Sequence, residues 1–158
     1  HGFIFFGLMN IDGEPFVIEY NCRLGDPETE VVLPRLQTDL VALFAAMDNG
    51  TLEDANISFD ERSPATIMAV SGRYPGEYAK GKPIELPAAT EVPKDTMVFH
   101  AGTISSGEQV LTNGGRVLAV TSYGANIAEA VERSKTTLQQ ISFEGMYFRK
   151  DIGFEFPC

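Results

Sequence analysis

Val17-Ile18-Glu19-Tyr20-Asn21-Cys22-Arg23-Leu24-Gly25-Asp26-Pro27-Glu28 is the stretch that decides how this chain folds. It reads as a strand that stops, a glycine loop and a helix that starts. In an extended chain, side chains alternate between faces. Val17, Glu19 and Asn21 therefore share one face, joined by Arg23 if the chain stays extended, and Phe16, Ile18 and Tyr20 share the other. The second face is apolar and asks for a core. The first offers a carboxylate and an amide, both sources of oxygen ligands. A hard cation such as Mg²⁺ takes one or two carboxylates and fills its other positions with water and substrate phosphate. Gly25 permits a tight turn, Asp26 is placed to cap the next helix, and Pro27 suits a first helical position. The exposed amides of such a helix start form an anion site beside the Arg23 guanidinium. The plainer reading is a solvated Glu-x-Asn followed by an ordinary helix start. A short motif by itself does not choose between the two.

Outward from this stretch, Gly2 to Met9 is rich in Phe, Ile and Leu and reads as a buried strand. The turn Asn10 to Glu14 then makes the opening a hairpin. Downstream, Asp26 begins a helix running to about Leu36, kinked or ended by Pro34. Thr38 is placed to cap a second helix, whose stripe is Leu40, Leu43, Phe44 and Met47, and Asn49-Gly50 closes it. Asn56 to Phe59 reads as a short strand, and the polar run Asp60 to Pro64 as a domain boundary. Beyond it, Ala65 to Val70, Lys82 to Leu86 and Met97 to Ala101 are strand candidates. The last carries His100, for which a structural role is the simpler reading. Ser71 to Gly76 is a glycine loop, read as a plain turn although such a loop can cradle phosphate. Tyr78 to Gly81 suggests one helical turn. Asn113-Gly114 between Val110-Leu111 and Arg116 to Thr121 is a hairpin signal. Asn126 should cap the last long helix, with Ile127, Val131, Leu138 and Ile141 as its apolar stripe. Phe143 to Phe148 should pack the tail back onto this part.

The chain has 158 residues, 44% of them hydrophobic, which is enough for one compact domain or two small ones. A net charge of -10 argues against nucleic-acid or anionic-membrane partners, which favour basic patches. No apolar run approaches the roughly 18 residues of a membrane span, and no signal peptide is visible. Cys22 and Cys158 have no paired metal spacing, so reduced thiols and a cytoplasmic setting are expected. The first residue is not methionine and the opening is already strand-like. Both features are expected of a piece of a longer fold, whose cut sheet edge would make the piece self-associate.

Glu19-Tyr20-Asn21-Cys22-Arg23-Leu24-Gly25-Asp26-Pro27-Glu28, followed by Val31 to Leu36, resembles the metal-site segment of the glycinamide ribonucleotide synthetase family, ATP-grasp enzymes of purine synthesis. The likeness continues in order through Ser71 to Gly76, Phe99 to Thr103, Gly114 to Val120 and Phe143 to Gly153. It is a likeness to the C-terminal part of those enzymes. The resemblance implies an α+β chain in two parts. Residues 1–62 would be the C-terminal piece of an ATP-grasp domain, and 63–158 a small β-rich C-terminal domain with one long helix. It implies the reaction as well: ATP phosphorylates glycine, and phosphoribosylamine attacks the glycyl phosphate. Glu19 and Asn21 would hold Mg²⁺, or Mn²⁺ in its place. Arg23, as a catalytic residue, with Gly25 and Asp26 would bind phosphate or the acyl phosphate. The nucleotide-covering elements lie outside the matched part, so the chain alone should be inactive. Another ATP-grasp ligase, a carboxylase or a non-catalytic interaction module remain alternatives.

Overall fold

Two strands open the structure, a computed structural model that describes residues 2–156. β1 (Phe5–Ile11) and β2 (Glu14–Asn21) pair antiparallel across the two-residue turn Asp12-Gly13. Both turn residues have positive φ, 53° and 92°, as a tight hairpin with native twist requires. The Gly13 amide donates to Asn10 Oδ1 at 2.9 Å. The pairing is regular from Ile11↔Glu14 to Leu8↔Val17, then jumps to Gly7↔Glu19. Ile18 is thus an extra, bulged residue, and a bulge breaks the simple alternation of faces. Glu19 and Asn21 stay on one face with Gly7 and Phe5, but Val17 falls on the other. The expected shared face of Val17, Glu19 and Asn21 is corrected to that extent. Burial also differs from expectation. Phe6, Leu8, Phe16, Ile18 and Tyr20 are all more than half exposed, so this hairpin is not a buried strand pair among the described residues.

α1 (Thr29–Arg35) begins three residues later than expected, and its capping position is Glu28, without a side-chain cap. Asp26 and Pro27 lie in the preceding turns instead. The physical reason is local closure. The Thr29 amide and hydroxyl both donate to the Gly25 carbonyl, and the Glu30 amide donates to Pro27. Pro34 sits one residue before the helix ends. α2 (Leu40–Asn49) is capped by Asp39, not Thr38: Asp39 Oδ1 accepts from the Val41 and Ala42 amides at 2.7 and 3.0 Å. Thr38 Oγ1 is engaged by the Ser58 amide at 2.8 Å. Gly50, with φ 70°, closes α2 as expected. Asn56 to Phe59 contributes one isolated bridge, Leu36↔Phe59, rather than a strand.

The chain divides into two compact units, residues 1–61 and 62–158. The second is built on a three-stranded antiparallel sheet of order β3 (Ser63–Val70), β7 (Arg116–Gly124), β4 (Thr96–His100). Central β7 is buried on both faces, from Val117 through Tyr123. Along β3, Ala65, Ile67 and Ala69 alternate inward, the period-2 pattern of a half-buried strand. α3 (Ile127–Leu138) packs Ala130, Val131 and Leu138 into the same core, and Ser134 Oγ donates to the Ala65 carbonyl at 3.0 Å. Asn126 caps α3 by accepting from the Glu129 amide, while Glu129 accepts from the Ala125 amide. Phe143 closes the core, with Met146 and Phe148 packed against it.

β5 (Thr103–Ser106) and β6 (Gln109–Thr112) form a separate hairpin. Asn113-Gly114 therefore joins β6 to β7 without pairing them, which corrects the expected hairpin: β7 spends both edges on β3 and β4. Residues 78–81 form no helical turn, and Lys82 to Leu86 contributes two isolated bridges, Pro83↔Leu111 and Glu85↔Ser142. Arg62 donates to Asp95 at 2.7 Å and lies 4.4 Å over the Tyr123 ring. That hydrogen bond holds the Asp95 carboxyl below the usual carboxylate range. The fold class is α+β, as expected. No helix among the described residues is long and apolar enough to cross a membrane.

Candidate metal and phosphate site

Glu19 and Asn21 meet at the end of β2. Asn21 Nδ2 donates to Glu19 Oε1 at 3.2 Å, so the two side chains lie together on one face. The bulge at Ile18 decides what lies opposite them. Continued at the register of the turn, β2 would set Glu19 opposite Phe6. With the extra residue, Glu19 faces Gly7. A Cβ at Gly7 would lie 2.9 Å from Glu19 Cγ, closer than real carbons approach. The glycine is thus the seat of the carboxylate stem. Sequence reasoning missed Gly7, and regular alternation could not have found it, because the bulge is what brings it opposite Glu19.

Arg23 does not extend that face. β2 stops at Asn21, the chain bends at Cys22 and Arg23, and the Arg23 guanidinium donates to the carbonyl of Leu24 at 2.9 Å. Gly25 is buried, and its φ is not positive. A Cβ there would meet the carboxylate end of the exposed Glu28 side chain. The Thr29, Glu30 and Val31 amides donate to the carbonyls of Gly25, Pro27 and Glu28. Asp26 is exposed in the same turn. The structure therefore brings Glu19 and Asn21 together, and leaves Arg23, Gly25 and Asp26 as the loop that follows them.

The oxygen donors fit a hard divalent cation, which a carboxylate and an amide bind without sulfur or imidazole. The seat at Gly7 leaves room for the Glu19 side chain on the strand. Among the described residues no group of three or more His, Cys, Asp or Glu is assembled. Two protein ligands are what Mg²⁺ commonly takes when phosphate and water complete its shell.

Comparison with known proteins places the chain. The family described as phosphoribosylglycinamide synthetase, C domain, matches residues 64–155. The phosphoribosylamine–glycine ligase of Vibrio cholerae is 46% identical over 155 residues, covering 97% of this chain and 36% of the relative. That of Chlorobaculum tepidum is 43% identical over 152 residues, covering 96% and 36%. The crystal structure of the phosphoribosylamine–glycine ligase of Thermotoga maritima superposes with a TM-score of 0.73 at 30% identity, over 94% of this chain and 36% of that one. The chain thus spans about a third of the length of the curated relatives it matches. The match over residues 64–155 takes in more than half of the sequence, and the chain belongs to the phosphoribosylglycinamide synthetase C-domain family.

Proposed function

We propose that this chain is part of a cytoplasmic ATP-dependent ligase of purine biosynthesis that joins glycine to phosphoribosylamine. In that reaction a glycine carboxylate oxygen attacks the γ-phosphorus of ATP and ADP leaves. The phosphoribosylamine nitrogen then attacks the glycyl carbon, the C–O bond to phosphate breaks, and an amide and inorganic phosphate result. The relatives carrying that ligase name support the reading, and the observation that carries it is the Glu19–Asn21 pair seated on Gly7. Glu19 and Asn21 are the proposed holders of Mg²⁺. A cation there would neutralise charge on the transferring phosphate. Arg23, with the Gly25-Asp26 loop, is proposed to bind phosphate or the acyl phosphate, which requires Arg23 to release Leu24 and turn outward. Residues 1–62 are proposed as the end of an ATP-grasp domain and 63–158 as the C domain. Turnover belongs to the complete ligase, of which relatives suggest this is about a third.

The test is a chimera in which this chain replaces the matching region of the Vibrio cholerae ligase. Glu19→Gln in the chimera should lower turnover about a hundredfold or more, because even residues that only orient a metal ligand are worth about 10–100-fold. An unchanged melting temperature would confirm an intact fold. Near-normal turnover at both limiting and saturating Mg²⁺ refutes the metal assignment.

A further inference from the structure

Gly7 weakens β1, and its backbone does not call for a glycine. Inside a strand, glycine loses conformational entropy on folding and packs no side chain. Its φ is not positive, so a residue with a side chain can adopt the same backbone. What the position lacks is room. A Cβ there would lie 2.9 Å from Glu19 Cγ, while the Glu19 backbone nitrogen and oxygen would sit at ordinary contact distances, 3.6 and 3.7 Å.

Side chains in a sheet usually stand perpendicular to it, and facing residues keep their β-carbons about 4.5–5.5 Å apart. Glu19 instead leans across onto β1, into the space a Gly7 side chain would fill. Its Cγ is the first carbon beyond the β-carbon, so clearing that space means turning χ1 rather than flexing the far end of the side chain. Asn21 holds the carboxylate end, donating through Nδ2 to Glu19 Oε1 at 3.2 Å. The neighbouring row is filled, with Phe5 opposite Asn21. β1 thus sets a large residue opposite the amide and no side chain opposite the carboxylate.

We infer that Gly7 is a positioning residue for the proposed cation site. Its empty position admits the χ1 rotamer that carries the Glu19 carboxylate over β1 and beside the Asn21 amide. That role rests on the reading of Glu19 and Asn21 as the holders of Mg²⁺. A methyl group at position 7 would turn χ1 and swing the carboxylate out of the pair. Glu19 is exposed, so the turned side chain would pass into water and the fold would lose no packing. Gly7 therefore bears on the cation and not on stability, unlike a glycine kept for close packing.

Mn²⁺ titration of the chimera with the Vibrio cholerae ligase, in the presence of ADP and followed by water-proton relaxation, reads cation binding without turnover. Gly7→Ala should weaken Mn²⁺ binding about tenfold or more, the scale on which residues that orient a metal ligand act, while its melting temperature does not fall. Leu8→Ala, on the opposite face of β1, should loosen the hairpin and leave Mn²⁺ affinity unchanged. Glu19→Gln in the same titration checks the ligand itself. If Glu19→Gln loses Mn²⁺ while Gly7→Ala keeps it, the positioning role is overturned and the ligand reading stands. If Glu19→Gln keeps it, both fall. A lower melting temperature in Gly7→Ala, or an equal loss of affinity in Leu8→Ala, would show that Gly7 serves the hairpin as a whole and would also overturn the role.

Discussion

At Ile18 a single extra residue decides what Glu19 faces. Without it the carboxylate stem would lie against Phe6; with it, the stem lies over Gly7, next to Asn21. Bulges commonly re-aim side chains near functional sites, and this one does so at the residue with the greatest proposed consequence. A second residue is informative for stability. Thr137 is fully buried in α3, and its Oγ1 has no hydrogen-bond partner among the described residues. A buried hydroxyl left unpaired costs about 1–3 kcal/mol, whereas valine has the same shape and no such requirement. Thr137→Val is therefore expected to raise the melting temperature by a few degrees, the shift that about 1 kcal/mol produces in a chain of this size. A lower melting temperature by calorimetry would count against this reading and point to a buried water on the hydroxyl.

The helices divide by how they begin. α1 is seven residues long and starts without a side-chain cap, so its geometry depends on the Gly25–Thr29 loop closure. α2 and α3 each carry a side-chain cap, Asp39 and Asn126. In α3 a second bond supports the start, since the Glu129 carboxylate accepts from the Ala125 amide at 2.7 Å. Gly124 shows how close this start lies to β7: a Cβ there would be 2.5 Å from the Ala130 amide nitrogen. Asn126→Ala should then cost about 1 kcal/mol, the usual worth of such a cap. Urea unfolding should show a lower midpoint with an unchanged slope. An unaltered midpoint would mean that core packing alone sets the start of α3.

For the whole molecule, the unequal burial of the two units matters most. Residues 62–158 hold the buried core, whereas the hairpin of residues 5–21 exposes Phe6, Leu8, Met9, Phe16, Ile18 and Tyr20. Covering one large apolar side chain stabilises by about 1.5–3 kcal/mol, so several together can offset much of the entropic cost of association. The net charge of -10 opposes this, but at physiological salt its reach is about 8 Å. The isolated chain is expected to self-associate. Light scattering over a concentration series should show the mean mass rising, and a constant monomer mass would refute the expectation.

Several features followed from the residues alone, because their causes are local. The hairpin turn at Asp12-Gly13, the glycine close of α2, the Asn126 cap and the strand at Ala65 to Val70 each depend on a few neighbouring residues. So does the adjacency of Glu19 and Asn21, which needs only two residues of extended chain. Tertiary structure decided what depends on partners far along the chain. It set Gly7 under Glu19, because a bulge is a property of two strands and not of one. It separated β6 from β7, because β7 had two better-packed neighbours in β3 and β4. It also left no room for a side chain at Gly72, where a Cβ would lie 2.8 Å from the Gly145 carbonyl oxygen, more than seventy positions along the chain.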